Sequence, residues 1–501
     1  MDSLDHGFLS IIPILITLVI AVRTHNVIIG LFTGVFSGVV ILQGIDPVMN
    51  LSLMVSDYFV PQMISPSNSG ILVLMCFIGG FVALIEKSGG AEAFASKMTT
   101  IINSRFKAQL AAWMSGIGIF FSDLGTPLIV GPIFRPITDK LKISRVKLAW
   151  IIDTTASPVA VLVPFIGWGV YSMGLIEQQY LEIGVTETAF DAYVYAIPFQ
   201  FYSIFAILMV PLVAYSGYEF GPMAKAELEA QAQITDNVQE AETDSSQQKA
   251  KAIFVWLPLV VMVSVLLYLL VPLGFPLKSV PSLAFRGALS SAYFYSAMTL
   301  ISLMMFYGVK SFKESMAIYF TGVSKMTTVL IILVLAWSLS SVGNELGTPQ
   351  YIISLADGTF APYLIPVTAF LFGALMSFAT GSSWGTYAIM MPLIIAVAHA
   401  LGAPMHVCIG AVLSGGMFGD HCSPISDTTI LSASGAGCSQ FDHVRTQLPY
   451  ELFNGSICVI CYIVAGLTES SLIFIPGIII LGFGLLLLNK IAGVKIHNFQ
   501  H

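Results

Sequence analysis

The strongest constraint on this chain is a recurrence: apolar runs of membrane-crossing size appear along its whole length. They lie near residues 8–22, 27–43, 70–86, 146–172, 194–215, 252–273, 285–308, 326–343, 406–434, 450–467 and 471–490. A helix needs about 20 mostly apolar residues to cross the hydrocarbon core, and only helices or closed barrels satisfy their own backbone there. The pattern predicts an all-α polytopic membrane protein of about eleven spans. Composition removes the alternatives. Only 10% of the 501 residues are charged, against about 25% in soluble chains, so the polar surface for roughly three soluble domains is missing. Disorder and coiled coil fail on the same scarcity. A net charge of −7 leaves no basic patch for nucleic acid.

The first run reads as a span and not as a cleavable signal peptide, because Asp2 and Asp5 precede it and no small-residue cleavage site follows. Cys76, Cys408, Cys458 and Cys461 fall in apolar helix, where Cys458-x-x-Cys461 reads as packing before it reads as a redox pair.

Two further apolar pairs, 107–121 with 127–140 and 361–379 with 387–402, are joined by short polar turns: Ser122-Asp-Leu-Gly-Thr-Pro127 and Thr380-Gly-Ser-Ser-Trp-Gly-Thr386. No aqueous loop separates their halves. They are expected to be re-entrant hairpins with tips inside the membrane; the alternative is four full spans with two tight turns. Lys and Arg bias sets orientation. Lys87, Lys97, Arg105, Lys107, Lys140, Lys142, Arg145 and Lys147 cluster in two stretches, while 44–69, 173–193, 344–360 and 403–405 contain none. With the N-terminus outside and the C-terminus cytoplasmic, the basic clusters share the inner face of a plasma (inner) membrane, and only Lys278 and Arg286 fall outside.

The order of parts repeats. Gly125-Thr126 aligns with Gly385-Thr386, Pro132 with Pro392, and Asp153-Thr-Thr-Ala-Ser-Pro158 with Gly419-Asp-His-Cys-Ser-Pro424. Each copy holds three spans, a hairpin, a Pro-broken span and another span. Five crossings per copy, an odd number, predict that the second copy is inverted. The expected organisation is a first repeat over 1–215 (hairpin 107–140, broken span 146–172) and a cytoplasmic acidic linker over 216–250. A second repeat follows over 251–467 (hairpin 361–402, broken span 406–434), then an extra span and tail over 468–501. Inverted repeats with interrupted segments in corresponding positions point to a secondary transporter with a site near the midplane. The linker reads as a solvated, partly helical tether.

Backbone unwound inside a membrane must find partners or cost several kcal/mol per group. The four predicted breaks are rich in Ser, Thr, Gly and Asp, oxygen donors suited to a hard cation; the rule is stated for Ca²⁺ and Mg²⁺ and extends to Na⁺ by analogy. Ionisable residues at membrane depth are functional candidates by default. The candidate ion- or substrate-binding set is Asp123, Thr126, Asp153, Thr154, Ser157, Ser382, Ser383, Thr386, Asp420, Ser423, Ser426, Asp427 and Thr428. Na⁺ is assigned within it to Asp153, Ser157, Asp420, Ser423 and Asp427. Burial disfavours a carboxylate's charge and a nearby cation favours it, so Na⁺ and H⁺ can compete for one group. Any single Asp could instead cap a broken helix. Asp420-His421-Cys422 lacks paired metal-ligand spacing, and Ser423, His421 and Asp427 show no triad geometry. No enzyme activity and no cofactor is expected, Na⁺ being a transported ion. His399 and His406 read as interfacial, Arg135 as a partner for Asp139 one turn on or for a substrate carboxylate. Trp168 and Trp384 read as pocket lining or as packing.

The run from Phe418 to Thr429, continuing to Asp442-His-Val-Arg-Thr-Gln447, resembles the NhaC family of sodium/proton antiporters, as do the Thr380–Thr386 turn and Ser157-Pro158. The resemblance implies two inverted repeats with hairpins, Na⁺ handling at the Ser/Thr/Asp breaks, elevator-like alternation and a homodimer. Where the antiporter branch has a Lys-Met pair, this chain has His421-Cys422, a form that looks like a separate branch. Two functions follow: Na⁺/H⁺ antiport, or sodium-coupled carriage of a small amino acid or organic acid. A passive channel suits interrupted inverted repeats poorly.

Overall fold

The computed structural model describes residues 6–99, 102–232, 250–348, 350–351, 354 and 361–496. It is helical almost throughout. Among the described residues, nine helices are long and apolar enough to cross a membrane, or up to eleven when two bent pairs count as one span each. The number matches the expectation, but the members differ. Both arms of the second hairpin, within Pro362–Thr380 and Ser383–Leu401, have spanning length. The helices of the two broken spans are not among them.

Each expected hairpin region is a pair of helices joined by a short turn: Arg105–Gly118 with Gly125–Lys140, and Ile365–Thr380 with Ser383–Leu401. The second broken span is Met405–Cys422 followed by Asp427–Ala436. Its break comes from Ser423-Pro424, since the residue before proline is driven out of the helical region; Ser423 sits at φ −80, ψ 128. The first consists of Arg145–Thr154, the short Ser157–Ala160 and Gly167–Ile183. It runs eleven residues beyond the expected end at 172, because Gly167 restarts a full helix after the irregular stretch at 161–166. Two stretches outside the expected spans are helical: Pro47–Leu53 through Ile64, with a π-helical turn at Met54–Phe59, and Phe312–Lys325.

The contacts are reciprocal. The second arm of each hairpin packs on the far half of the other half-chain's broken span: Gly125–Lys140 on Asp427–Ala436, and Ser383–Leu401 on Gly167–Ile183. The first of these contacts is close enough to demand glycine. A Cβ on Gly131 would sit 2.4 Å from the Gly435 carbonyl carbon, and one on Gly435 would sit 2.2 Å from the Pro127 carbonyl oxygen. Around this bundle stands a wall of Pro66–Lys87, Ile253–Leu270, Ser282–Phe306, Phe312–Lys325 and Thr327–Glu345; the first four pack mainly on one another, and Thr327–Glu345 packs on Val27–Gln43 and on the bundle helices Ser383–Leu401 and Gly167–Ile183.

The expected tether departs from expectation at its start; residues 233–249 lie outside the described residues. Tyr218–Glu219 pairs antiparallel with Val494–Lys495, and Gly221–Ala232 is a helix. Two of its acids, Glu219 and Glu227, are buried and paired, while Glu229 is exposed as a solvated tether would have it. Glu219 meets Lys147 at 2.7 Å and accepts from the Tyr450 hydroxyl at 2.5 Å. Glu227 pairs with Arg105 and accepts from the Ser144 amide at 2.7 Å. Burial and the charge of Glu227 push the Glu219 carboxyl up from its usual range, against the pull of Lys147.

Candidate functional site

The tips and breaks converge on one cavity of about 590 Å³. The first tip enters through Asp123. Ser122 turns the chain there by accepting from the Gly125 amide at 2.9 Å, and its own hydroxyl bonds Glu86 on the wall. Asp123 accepts from the Trp168 indole at 3.0 Å and from Ser157 at 3.5 Å, which ties the first tip to both sides of the first break. At the second tip Gly381 ends its helix with φ +66, a conformation open to glycine at little cost. A Cβ there would also lie 2.8 Å from the Ile425 carbonyl oxygen, so the second tip abuts the second break. Ser382 then caps Ser383–Leu401, accepting from the Gly385 amide at 3.3 Å.

Of the predicted residues, Asp123, Ser157, Ser382, Ser383, Asp420, Ser426, Asp427 and Thr428 line the cavity. Asp420 lies at the end of Met405–Cys422, and Asp427 is the first residue of the following helix, exposed. Trp168 and Trp384 also line it, their rings stacked at 4.0 Å between centroids. Thr126 and Thr386 stay in their helices and donate one turn back, to the Ser122 and Ser382 carbonyls at 3.0 and 2.9 Å. Ser423 donates to the Phe378 carbonyl at 2.8 Å, and Thr154 is buried.

Asp153 stands behind the cavity. It caps no helix: it lies inside Arg145–Thr154, and its side chain is an acceptor for four others. Oδ2 accepts from His443 at 3.2 Å and from Thr429 and Gln447 at 3.3 Å; Oδ1 accepts from Ser432 at 3.3 Å. His421 Nε2 is 3.6 Å from Asp153, and its Nδ1 is 3.4 Å from Glu451 and 2.9 Å from the Tyr202 hydroxyl. Glu451 in turn accepts from Tyr202 at 2.5 Å and from the Trp150 indole at 2.9 Å. These groups are all buried.

One other reading changes. Asp139 pairs with Arg145 at 3.0 Å and not with Arg135, whose guanidinium packs against Gly437. His406 meets Glu187 at 3.0 Å. Sequence reasoning missed Glu86 and Lys325 in the cavity, and Tyr202, His443, Gln447 and Glu451 behind it. A signal existed for three of them: His443, Gln447 and Glu451 recur every four residues, so they share one face of Gln440–Thr468. Glu86 and Lys325 flank apolar runs and carry no such mark.

Chemically, Glu86, Asp123, Asp420 and Asp427 present carboxylates from the wall, the first tip and both sides of the second break to one space. Hydroxyls of Ser157, Ser382, Ser426 and Thr428 stand among them. These oxygens surround one space, although among the described residues no three His, Cys, Asp or Glu side chains are grouped closely enough to hold a metal ion.

The model for the Na⁺/H⁺ antiporter family matches residues 159–467. A Haemophilus influenzae protein described as uncharacterized is 34% identical over 493 residues, covering 92% of this chain and 92% of that one. The Na⁺/H⁺ antiporter NhaC of Alkalihalophilus pseudofirmus is 29% identical over 142 residues, 28% of this chain and 31% of that one. The YdaH transporter of Alcanivorax borkumensis superposes with a TM-score of 0.57 at 14% identity, over 85% of this chain and 89% of that one. At that identity the likeness is one of fold.

Proposed function

The chain belongs to the Na⁺/H⁺ antiporter family, and from that premise we propose that it exchanges Na⁺ for H⁺ across the cell membrane at the cavity between its two tips. The observation that carries the reading is the convergence of Asp123, Asp420, Asp427 and Glu86 on that cavity. The first three, with Ser157, Ser426 and Thr428, bind Na⁺ or protons in alternation. Asp153 positions the second break, holding Asp427–Ala436 through Thr429 and Ser432.

Alternation is elevator-like in this reading. One side of the cavity is the hairpin bundle; the other is wall, through Gly79, Glu86, Gly322 and Val329. A bundle moving past that wall would carry the site with it. The reciprocal packing of hairpins on broken spans supports the inverted arrangement of the two halves. The burial of Lys147 and Arg105 beside the linker's start supports one face for the basic clusters, taken as cytoplasmic. The N-terminus is then outside, and wall helices build a homodimer.

The test is exchange in proteoliposomes with no organic solute present. A Na⁺ pulse outside an acid-loaded lumen is expected to raise luminal pH in wild type. An unchanged lumen would overturn the reading.

A further inference from the structure

We propose that Glu451, acting with Tyr202 through His421, is the positioning group that aims the Asp420 carboxylate into the cavity and so sets the affinity for the ion bound there. The inference rests on the reading of Asp420 as a Na⁺-binding carboxylate and goes beyond it, since Glu451, Tyr202 and His421 all stand outside the cavity lining. Three observations carry it.

The first is helical geometry. Asp420 and His421 are neighbours in the last turn of Met405–Cys422, and successive residues of a helix point about 100° apart. Asp420 lines the cavity, so fixing His421 against Gln440–Thr468 also fixes where Asp420 faces. The end of the helix has little hold of its own, since its last carbonyls lack intrahelical partners and Pro424 bars a further turn. Side chains of Gln440–Thr468 supply the hold. Gln447 donates to the His421 carbonyl at 2.7 Å, and Glu451 lies 3.4 Å from His421 Nδ1.

The second is the chemistry of the anchor. Glu451 is buried, and its carboxylate only accepts. Oε1 accepts from the Trp150 indole at 2.9 Å and Oε2 from the Tyr202 hydroxyl at 2.5 Å. An indole can only donate, so Glu451 cannot turn away without leaving it bare. Tyr202, its own proton given to Glu451, stands 2.9 Å from His421 Nδ1 as an acceptor. The imidazole therefore has acceptors on its Nδ1 side, and Asp153 lies 3.6 Å from Nε2 on the other. The third is that the anchor is itself held. The Lys147 ammonium lies 4.3 Å from the centre of the Trp150 ring and pairs with Glu219 at 2.7 Å. Asp420 is thus backed by a continuous line of buried groups that runs from His421 to the start of the linker.

The experiment uses the full chain, as wild type, Glu451→Gln and Tyr202→Phe. Glutamine keeps the size of the side chain but brings a donor against groups that donate; phenylalanine removes only the hydroxyl between Glu451 and His421. Two quantities are followed against Na⁺ concentration: the rate of Na⁺-driven proton movement in proteoliposomes, and the rise of the thermal unfolding midpoint in detergent. Each variant is expected to need about tenfold to a hundredfold more Na⁺ for half-effect in both, the range for groups that orient a metal ligand from behind, while its maximal rate stays near wild type. A purely structural role lowers the midpoint without Na⁺ and leaves the half-effect unmoved; that result in either folded variant overturns the proposal. So does a maximal rate lost at unchanged half-effect, which would make these groups part of the exchange itself. Should the glutamine variant fail to fold, Tyr202→Phe decides. A wild type that binds Na⁺ without moving protons sinks only the antiport reading, since the midpoint still scores the variants. Exchange in wild type with an unmoved half-effect in the variants sinks only this proposal.

Discussion

Replacing Asp153 separates holding from exchanging. Its carboxylate accepts four hydrogen bonds in a fully enclosed position. In Asp153→Ala the hydroxyls of Thr429 and Ser432 can turn back to helix carbonyls. Gln447 keeps its bond to the His421 carbonyl at 2.7 Å, but the ring N–H of His443 is left alone. A buried donor left without a partner costs about 1–3 kcal/mol, so the alanine variant should lose about that much. Asp153→Asn is different. An oxygen at the Oδ2 position keeps three donors, and its amide can give a hydrogen bond to Ser432, so the loss should stay within about 1 kcal/mol. The assay is the thermal midpoint of the full chain in detergent, paired with Na⁺-driven proton movement in proteoliposomes. We expect Asp153→Ala to unfold at clearly lower temperature and to lose exchange, and Asp153→Asn to unfold near wild type and keep it. An alanine variant as stable as wild type would refute the hydrogen-bond accounting. A stable asparagine variant with no exchange at any Na⁺ concentration would refute the positioning role and make Asp153 an exchanging group.

Asp420→Asn, buried at the cavity, should abolish Na⁺-driven proton release while the midpoint holds, as read by the same two assays. Gly435→Ala should destabilise by about 1–3 kcal/mol although alanine is the better helix former, since its Cβ would lie 2.2 Å from the Pro127 carbonyl oxygen. Gly482→Ala, with nothing within 4 Å of its Cβ, should be neutral or stabilising, and equal midpoints for the two variants would sink the close-packing argument. The Glu219 carboxyl is pushed up by burial, so the folded chain binds a proton there before the unfolded chain does. Stability should therefore fall as pH rises from the ordinary glutamate value, about 4.3, through the raised one. Unfolding followed across that range should show this fall in wild type and not in Glu219→Gln.

The sequence exposed what the membrane forbids and little of what the fold arranges. Ser423-Pro424 and the Gly381-Ser382 turn were legible because proline and glycine dictate backbone locally, and the structure breaks at both. The family was legible in the run from Phe418 to Thr429. Which carboxylate faces the cavity was not, because Asp153 and Asp420 stand in similar motifs, and only the packing of Gln440–Thr468 puts one behind the cavity and the other on it. The buried start of the linker was hidden for a related reason. A run of Glu, Ala and Gln looks solvated until Arg105 and Lys147, far away in sequence, supply the partners that let Glu227 and Glu219 be buried.

The same partner logic bears on alternation. The helix Gly167–Ile183 belongs to the first broken span, yet its far end is tied to the wall by charged groups. Glu177 pairs with Arg286; Glu182 accepts from Ser340 at 2.7 Å and from Asn344 at 2.5 Å. Trp337 adds an indole bond to the Gly174 carbonyl at 3.2 Å. Nearer the cavity the wall meets the bundle through the Ser122–Glu86 bond and through the Tyr293 hydroxyl, which donates to the Phe165 carbonyl at 2.8 Å. A bundle that slides must therefore release the Glu177 and Glu182 contacts together with these two. Buried charged hydrogen bonds are costly to leave unmade, so those two glutamates would set the barrier to motion, and the carboxylates of the cavity would set only what travels.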